Sequence, residues 1–455
     1  MKVKPLWDQA FRYLGSDHLI KNSVYLMLST AAMGLFGFLF WILAAQFYSV
    51  RQVGIATTLI SASILISYVS LLGFNSTFIR FLPTSGRRNA EISTGLVFVA
   101  SASIILSISY LLLVPRFVPQ LNLITRNHMY DLVFVLLTGC AALNLITDSV
   151  FIALRSAKYN LIVDGVVQSL AKLALPIALI GLGAFGLYTA TGLAATLAVL
   201  VSIILMIRIF DYSLFARPSL SVVREMWAYS AASYLANILN IAPTLILPLI
   251  VLRDLGADLA GYYYIAFQIA NLLYSVSYAI SQSLMAEGSY DERALLSLAR
   301  RSALFQSAII LPAIAVLLVV SPLLLTFFGH SYQLHASGCF RILLLATPAV
   351  ALNTWTSTLL RLTKQLVALV WSNVALLVIV CGLAIASASK GLQWVAFAWL
   401  VGNAVSGLIG AVALILRRRR GHIELPSLAG SPTEGEECRN TGKSDRTSGS
   451  EGLTG

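Results

Sequence analysis

Long apolar runs alternate with short polar breaks along almost the whole chain. Runs long enough to cross a bilayer as helices, which takes about 20 residues, fall near 23–46, 53–74, 92–114, 130–153, 161–181, 185–209, 227–252, 261–286, 303–328, 339–360, 368–388 and 393–416. The weakest separation is between the fifth and sixth, where only Gly181, Gly183 and Gly186 mark a turn. The pattern predicts an all-α integral membrane protein with about 12 transmembrane helices. Composition agrees: 58% of residues are hydrophobic, 11% are charged, and mean hydropathy is +0.83. Continuous apolar runs of this length exclude an outer-membrane barrel, whose strands alternate.

Charge orients the helices. With the N-terminus in the cytoplasm, the inner breaks collect Arg80, Arg87 and Arg88, then Arg155 and Lys158, Arg208, Arg217 and Arg224, Arg293, Arg300 and Arg301, Arg361 and Lys364, and Arg417 to Arg420. The outer breaks receive Arg51, Arg116, Arg126, Arg253 and Lys390. This bias puts both termini in the cytoplasm. It also accounts for the net charge of +12 without a nucleic-acid partner. The organisation expected is a cytoplasmic leader over 1–22, an N-lobe of spans 1–6 over 23–210, a cytoplasmic linker over 211–226, a C-lobe of spans 7–12 over 227–416, and a disordered cytoplasmic tail over 417–455. In the leader, Trp7, Phe11 and Leu14 recur at helical spacing and suit a short interfacial helix.

The two halves look duplicated. Gly54 and Gly261 each open the second span of their half, and Leu154-Arg155-x-x-Lys158 recurs as Leu360-Arg361-x-x-Lys364, both at an offset of roughly 206 residues. Six spans per half is an even number, so both halves enter the membrane the same way round. Their pseudo-two-fold axis then lies along the membrane normal, with a substrate path between them.

Polar residues inside the spans carry the functional reading, because each is costly in hydrocarbon. The second span bears hydroxyls at Thr57, Thr58, Ser61, Ser63, Ser67 and Ser70, which suggests a wet face. In the eighth, Gln268, Asn271, Ser275, Tyr278 and Gln282 fall on one helical stripe; in the seventh, Ser233, Asn237, Asn240 and Thr244 do so. Such stripes predict a water-lined cavity, whereas single amides usually bond a neighbouring helix. In the fourth span Asn144, Asp148 and Arg155 share a side, and in the fifth Asp164, Gln168 and Lys172 do. Lys172 either neutralises Asp164 or Asp148 or offers a cation to an anionic ligand. Arg80, Arg155 and Arg361, at the cytoplasmic ends of spans, read first as topology signals.

Several chemistries are excluded. No phosphate-loop lysine motif occurs, the five histidines sit at span edges or in loops, and the four cysteines form no disulfide or metal pattern. The outer loops are too short for a catalytic domain. The protein is therefore not expected to be an enzyme, and no cofactor or metal is expected.

The stretches V-G-I-A-T-T-L-I-S at 53–61, L-L-G-F-N-S-T-F-I-R-F-L-P at 71–83 and F-F-G-H-S-Y at 327–332 resemble the polysaccharide-biosynthesis exporters, the O-antigen and capsule-repeat flippases of the multidrug/oligosaccharidyl-lipid/polysaccharide superfamily. The resemblance implies two six-helix lobes in a V, as in multidrug and toxic compound extrusion (MATE) transporters, and alternating access. It implies as cargo a polyprenyl-(pyro)phosphate-linked oligosaccharide turned from the inner to the outer leaflet of the inner (plasma) membrane, among membrane lipids and other polysaccharide assembly proteins. On that implication the stripes serve the sugar, and Lys172 and Arg80 are candidates for the phosphate. The alternatives are a cation-coupled multidrug exporter of the same fold, for which only Asp148 and Asp164 are deep acids, and a non-transporting membrane scaffold.

Overall fold

Each apolar run of the sequence becomes a helix. The structure is a computed structural model that describes residues 18–121, 127–213, 220–290 and 295–419, with backbone alone at 18–24, 115, 220–233, 286, 289–290 and 418–419. Among the described residues all regular structure is helical. In chain order the helices are α1 (His18–Phe47), α2 (Val50–Ser70), α3 (Phe74–Phe81), α4 (Arg88–Phe117), α5 (His128–Ala153), α6 (Lys158–Ala178) and α7 (Gly183–Phe210). There follow α8 (Leu220–Leu255), α9 (Ala257–Tyr290), α10 (Leu295–Thr326), α11 (His330–Leu345), α12 (Thr347–Leu362), α13 (Leu366–Ser387) and α14 (Leu392–Arg419).

Among the described residues ten helices are long and apolar enough to cross a membrane, and α11 with α12, bent by 40°, makes an eleventh. The bend falls where Pro348 in the first turn of α12 lacks the N–H that would continue α11. The remaining predicted span is α9, 34 residues long. Its amides and hydroxyls hold its hydropathy down, so the most polar span is a helix that composition alone does not flag. Outward-facing side chains such as Val319, 80% exposed, and Leu112, 73% exposed, suit a lipid environment.

Several boundaries differ from expectation. Helix α1 begins at His18, inside the expected leader, and α8 begins at Leu220, inside the expected linker. Residues 1–17 and 420–455, with the interfacial-helix and disordered-tail expectations, lie outside the described residues, as do linker residues 214–219. Of the unit Ile415–Gly455, residues 415–419 are described and are helical.

Helix α2 starts in a capping box: Ser49 Oγ accepts from Gln52 N at 3.3 Å, and Gln52 Oε1 accepts from Ser49 N at 3.0 Å. It ends where Leu72 and Gly73 adopt positive φ, 49° and 85°, which turns the chain into the short helix α3. The hydroxyls along α2 do not face water. Thr57, Thr58, Ser61, Ser63, Ser67 and Ser70 are all buried. Thr57 and Thr58 donate to Gly54 O, Ser67 to Ser63 O and Ser70 to Ile66 O, while Ser63 meets Thr138 of α5 at 3.0 Å. They bind α2 to its own backbone and to α5, the helix-packing role of hydroxyls in lipid.

Helices α2 and α9 pack together from their first turns. A Cβ on Gly54 would lie 1.9 Å from Ala257 O, and one on Gly261 would lie 2.4 Å from Val50 O. Each glycine therefore meets the carbonyl four residues before the other glycine, a locally two-fold crossing of backbones. The Gly54–Gly261 match in sequence thus marks a structural repeat. The Leu-Arg-x-x-Lys match does not. Helix α5 closes with Ser156 N donating to Phe151 O and Arg155 at φ 53°, and α12 closes with Gln365 N donating to Leu360 O and Lys364 at φ 57°. The equivalent of Arg155 is Lys364, so the motif match is out of register by three residues.

The crossing has a measurable consequence. Gly54→Ala should lower the thermal midpoint of the purified protein in detergent, since overpacking against backbone costs about 1–3 kcal/mol. Gly37→Ala, with nothing within 4 Å of the added methyl, should leave it unchanged or raise it. Equal responses would show that the crossing is not tight.

Candidate functional site

Beyond the glycine crossing a cavity of about 540 Å³ opens between α2–α3 and the C-terminal half of the fold. Its wall is built mainly from α8 (Tyr234, Asn237, Asn240, Thr244), α9 (Asn271, Tyr278, Ser281, Gln282) and α12 (Asn353, Thr354, Ser357, Thr358, Arg361), with Trp399 and Asn403 of α14. Tyr68 of α2 and Asn75 of α3 complete it from the other side. Among the described lining residues Arg361 carries the only charge, and there is no carboxylate.

The wall is tied together behind its surface. Asn353 Nδ2 donates to Asn403 Oδ1 at 3.1 Å, and Asn403 Nδ2 to Trp399 O at 2.9 Å. Ser406 Oγ lies 2.9 Å from both Asn353 Oδ1 and Ser372 O. These bonds join α12, α13 and α14. Asn240 Nδ2 donates to Asn373 Oδ1 at 3.2 Å, and Asn373 Nδ2 to Ala236 O at 2.9 Å, which joins α8 to α13. The hydroxyl of Tyr234 donates to Val69 O and fastens α8 to the end of α2. One terminal nitrogen of Arg361 donates to Asn237 Oδ1 at 2.8 Å, which holds the guanidinium at the α8 side of the cavity.

Some polar capacity is left over. Ser281 Oγ and Asn75 Oδ1 are buried atoms with no partner within the protein. The fixed amides, the surplus acceptors and the aromatic faces of Tyr278 and Trp399 can receive a hydroxyl-rich ligand. Arg361 can receive one anionic group through a forked pair of N–H bonds.

The expected site residues separate into groups. Asn237, Asn240, Asn271 and Gln282 line the cavity. Gln268 does not; it lies against Tyr264. The side chain of Ser233 lies outside the described residues. Asn144, Asp148, Asp164, Gln168 and Lys172 form a cluster between α5 and α6; none is among the lining residues, although Asp148 stands within electrostatic range of Tyr68, which is. There Asn144 Nδ2 donates to Asp164 Oδ1 at 3.0 Å, Ser169 Oγ donates to Asp164 O at 2.7 Å, and Asn160 Nδ2 donates to Asp148 O at 3.3 Å. Lys172 Nζ donates to Gln168 Oε1 at 3.3 Å and stands near Asp164 without an ion pair within 4 Å. The first half of α6, Leu161–Gln168, is a wide π-type helix, which offsets Asp164 relative to Lys172. Arg80 is exposed on α3, with its guanidinium 5.4 Å from the centre of the Phe81 ring, and is also outside the lining.

Sequence reasoning did not place Arg361 in the site. The signal was present: Thr354, Thr358 and Arg361 stand at i, i+4 and i+7 on α12, a stripe like that of α9. The place of Arg361 at the cytoplasmic end of a span gave it the reading of a topology signal. Arg155 follows the end of α5, whereas Arg361 is the penultimate residue of α12, three residues before Lys364, the equivalent of Arg155, and there the cavity reaches it.

Apolar outer helices around a polar cavity define a multi-pass membrane protein. Comparison gives that architecture a known fold. The lipid II flippase MurJ in an inward closed conformation superposes with a TM-score of 0.70 at 13% identity, covering 87% of each chain. An inward-facing multidrug resistance MATE family transporter of the MOP superfamily gives 0.66 at 15% identity over 88% of this chain and 98% of that one. A MOP superfamily transporter from Pyrococcus furiosus gives 0.57 at 14% identity, over 88% and 95%. The fold is that of the multidrug/oligosaccharidyl-lipid/polysaccharide (MOP) exporters. A family model described as "Polysaccharide biosynthesis protein" matches residues 133–337, from α5 into α11. The resemblance to the polysaccharide exporters is thereby borne out, and the matched region includes F-F-G-H-S-Y but not the 53–83 stretch. No curated protein matches the chain.

The separation of cavity from cluster is open to chemical labelling. In a variant lacking the four native cysteines, single cysteines at Asn271, Gln282 or Thr354 should react with a membrane-impermeant thiol reagent in detergent. Cysteines at Asn144 or Gln168, both buried, should react at least tenfold more slowly. The reverse order would show that the wet surface lies in the α5–α6 cluster.

Proposed function

We propose that the protein is a flippase that moves a polyprenyl-(pyro)phosphate-linked oligosaccharide from the inner to the outer leaflet of the plasma membrane, for assembly of a surface polysaccharide. The observation that carries this reading is the cavity: amides, hydroxyls and aromatic faces with one guanidinium and no acid among the described lining. That surface suits a glycan head bearing phosphate. An exporter of cationic drugs needs carboxylates in contact with its ligand, and Asp148 and Asp164 lie elsewhere. The polysaccharide-biosynthesis match and the flippase and transporter neighbours support the same reading.

The arrangement supports alternating access. By the bias of Arg and Lys, the glycine crossing lies at the outer face, and the cavity is reached from the cytoplasm. The state described is then one that loads substrate from the inner leaflet, with the lipid tail left in the bilayer. Transport requires the crossing to part and the cavity to close behind the head group.

Deletion of the encoding gene should cause one lipid-linked oligosaccharide to accumulate on the inner leaflet and the surface glycan to be lost, both restored by a plasmid copy. Mass spectrometry of the lipid extract and glycan staining of the surface would read this. Intact glycan together with new sensitivity to lipophilic cations would replace the flippase reading with drug export.

A further inference from the structure

The charge balance of the cavity narrows its substrate. We infer that the cavity selects a lipid-linked glycan whose sugars are uncharged, with one phosphoryl group held by Arg361, and that it discriminates against glycans carrying uronic acids or other anionic sugars. The inference rests on the flippase reading and specifies the head group it admits.

Three observations carry it. First, Arg361 is the single charged residue among the described lining, so one anionic group can be matched inside the cavity. Lys172 and Arg80, the other candidates for a cation, are both outside the lining. Second, Arg361 is positioned for a ligand. It sits in the last turn of α12, where the helix dipole favours a cation, and its bond to Asn237 at 2.8 Å fixes the fork while leaving N–H groups to donate. Third, the remaining wall is neutral and hydrogen-bonding. Asn271 and Gln282 offer both donors and acceptors, Thr354 offers an acceptor while its hydroxyl donates to Val350 O at 2.7 Å, and Ser281, 4% exposed, has a hydroxyl without a partner among the described residues. Hydroxyls and acetamido groups satisfy such a wall. A second anion would enter with no cation to meet it, and an uncompensated charge in a partly desolvated site is costly.

Asn237 is a positioning residue. Its amide oxygen is already committed to Arg361, so its substitution should act through the guanidinium and not through the sugar. The same geometry explains why lysine would be a poor replacement: a point charge lacks the fork that grips a phosphoryl group and the Asn237 oxygen together.

The test uses the full-length protein in lipid nanodiscs and measures binding of two probes by microscale thermophoresis. One is farnesyl phosphate joined through a phosphodiester, with its single negative charge, to N,N′-diacetylchitobiose; the other carries, on the same phosphodiester, a disaccharide ending in glucuronic acid. The neutral probe should bind at least tenfold more tightly. Arg361→Gln should weaken the neutral probe at least tenfold, Arg361→Lys should recover part of that loss, and Asn237→Leu should weaken it several-fold only while Arg361 is present. A second cation, Thr358→Lys, or Thr244→Arg if the first variant does not fold, should narrow the preference by strengthening the acidic probe.

The outcomes separate the two levels of the argument. If the acidic probe binds as tightly as the neutral one, or Arg361→Gln changes nothing, the charge-matching inference is overturned and the flippase reading stands. If UDP-N-acetylglucosamine binds as tightly as the prenyl probe, the phosphoryl source is a soluble sugar nucleotide and the lipid-linked substrate is wrong. If no prenyl probe binds and a lipophilic cation does, both readings fail.

Discussion

The backbones of α2 and α9 touch at Gly54 and Gly261, and the rest of the structure is arranged around that contact. With a methyl group in either place, the helices would have to separate, because the obstructing atoms are the carbonyl oxygens of Ala257 and Val50 and not flexible side chains. Close approach at one end allows divergence at the other. There Tyr68 and Asn75 face Asn271 to Gln282 across the cavity. In lipid, where no hydrophobic force drives helices together, contact of this kind comes from packing of small residues. The reciprocity of the contact, each glycine against the carbonyl four residues before the other, is what a duplicated chain produces when two copies of one helix meet at their shared axis.

Around this contact the polar groups are used in two ways, according to whether they are already satisfied. The α2 hydroxyls return bonds to their own helix, to Thr138 and, from Thr58, to Pro248 O of α8, and the α5–α6 cluster bonds within itself through Asn144, Asp164, Gln168 and Lys172 while Asn144 Oδ1 and Asp148 Oδ1 have no partner among the described residues. The amides on α8 and α12 differ because their bonds run sideways along the wall, Asn353 to Asn403 and Asn240 to Asn373, and leave the cavity surface polar. With no acid among the described lining residues, one guanidinium sets the sign of that surface.

Much of the fold was legible because hydrocarbon imposes a length and a pattern on every span. The positions of the helices follow from runs of apolar residues, and the stripe Asn271 to Gln282 was readable because a wet helix face repeats with the helical period. What the sequence left hidden depended on partners. Thr57 to Ser70 look like a wet face, yet the structure buries them, since a serine that bonds its own helix and one that bonds water look the same in a string. Lys172 and Arg80 looked like the cations of the site because they are rare charges near apolar runs. Arg361 looked like a topology signal because it lies at the cytoplasmic end of a span, as Arg155 does. A slip of three residues, almost one helical turn, separates a cap residue at the membrane edge from a residue that faces the cavity.

The same network that exposes the amides also makes the wall stiff. Asn353 holds Asn403 and accepts from Ser406, Ser406 lies against Ser372 of α13, and Asn373 of α13 reaches back to α8. Four helices are thereby joined by side-chain bonds in a medium where breaking one leaves a polar group without water to replace its partner. A wall built like this is preorganised: its amides keep their orientation whether or not a ligand is present, so binding is not weakened by the cost of ordering them. The glycine crossing is the opposite kind of contact, held by van der Waals and backbone proximity with few side-chain bonds across it. Rigidity on the side that must recognise and looseness on the side that must part is the distribution that opening and closing around a fixed site requires.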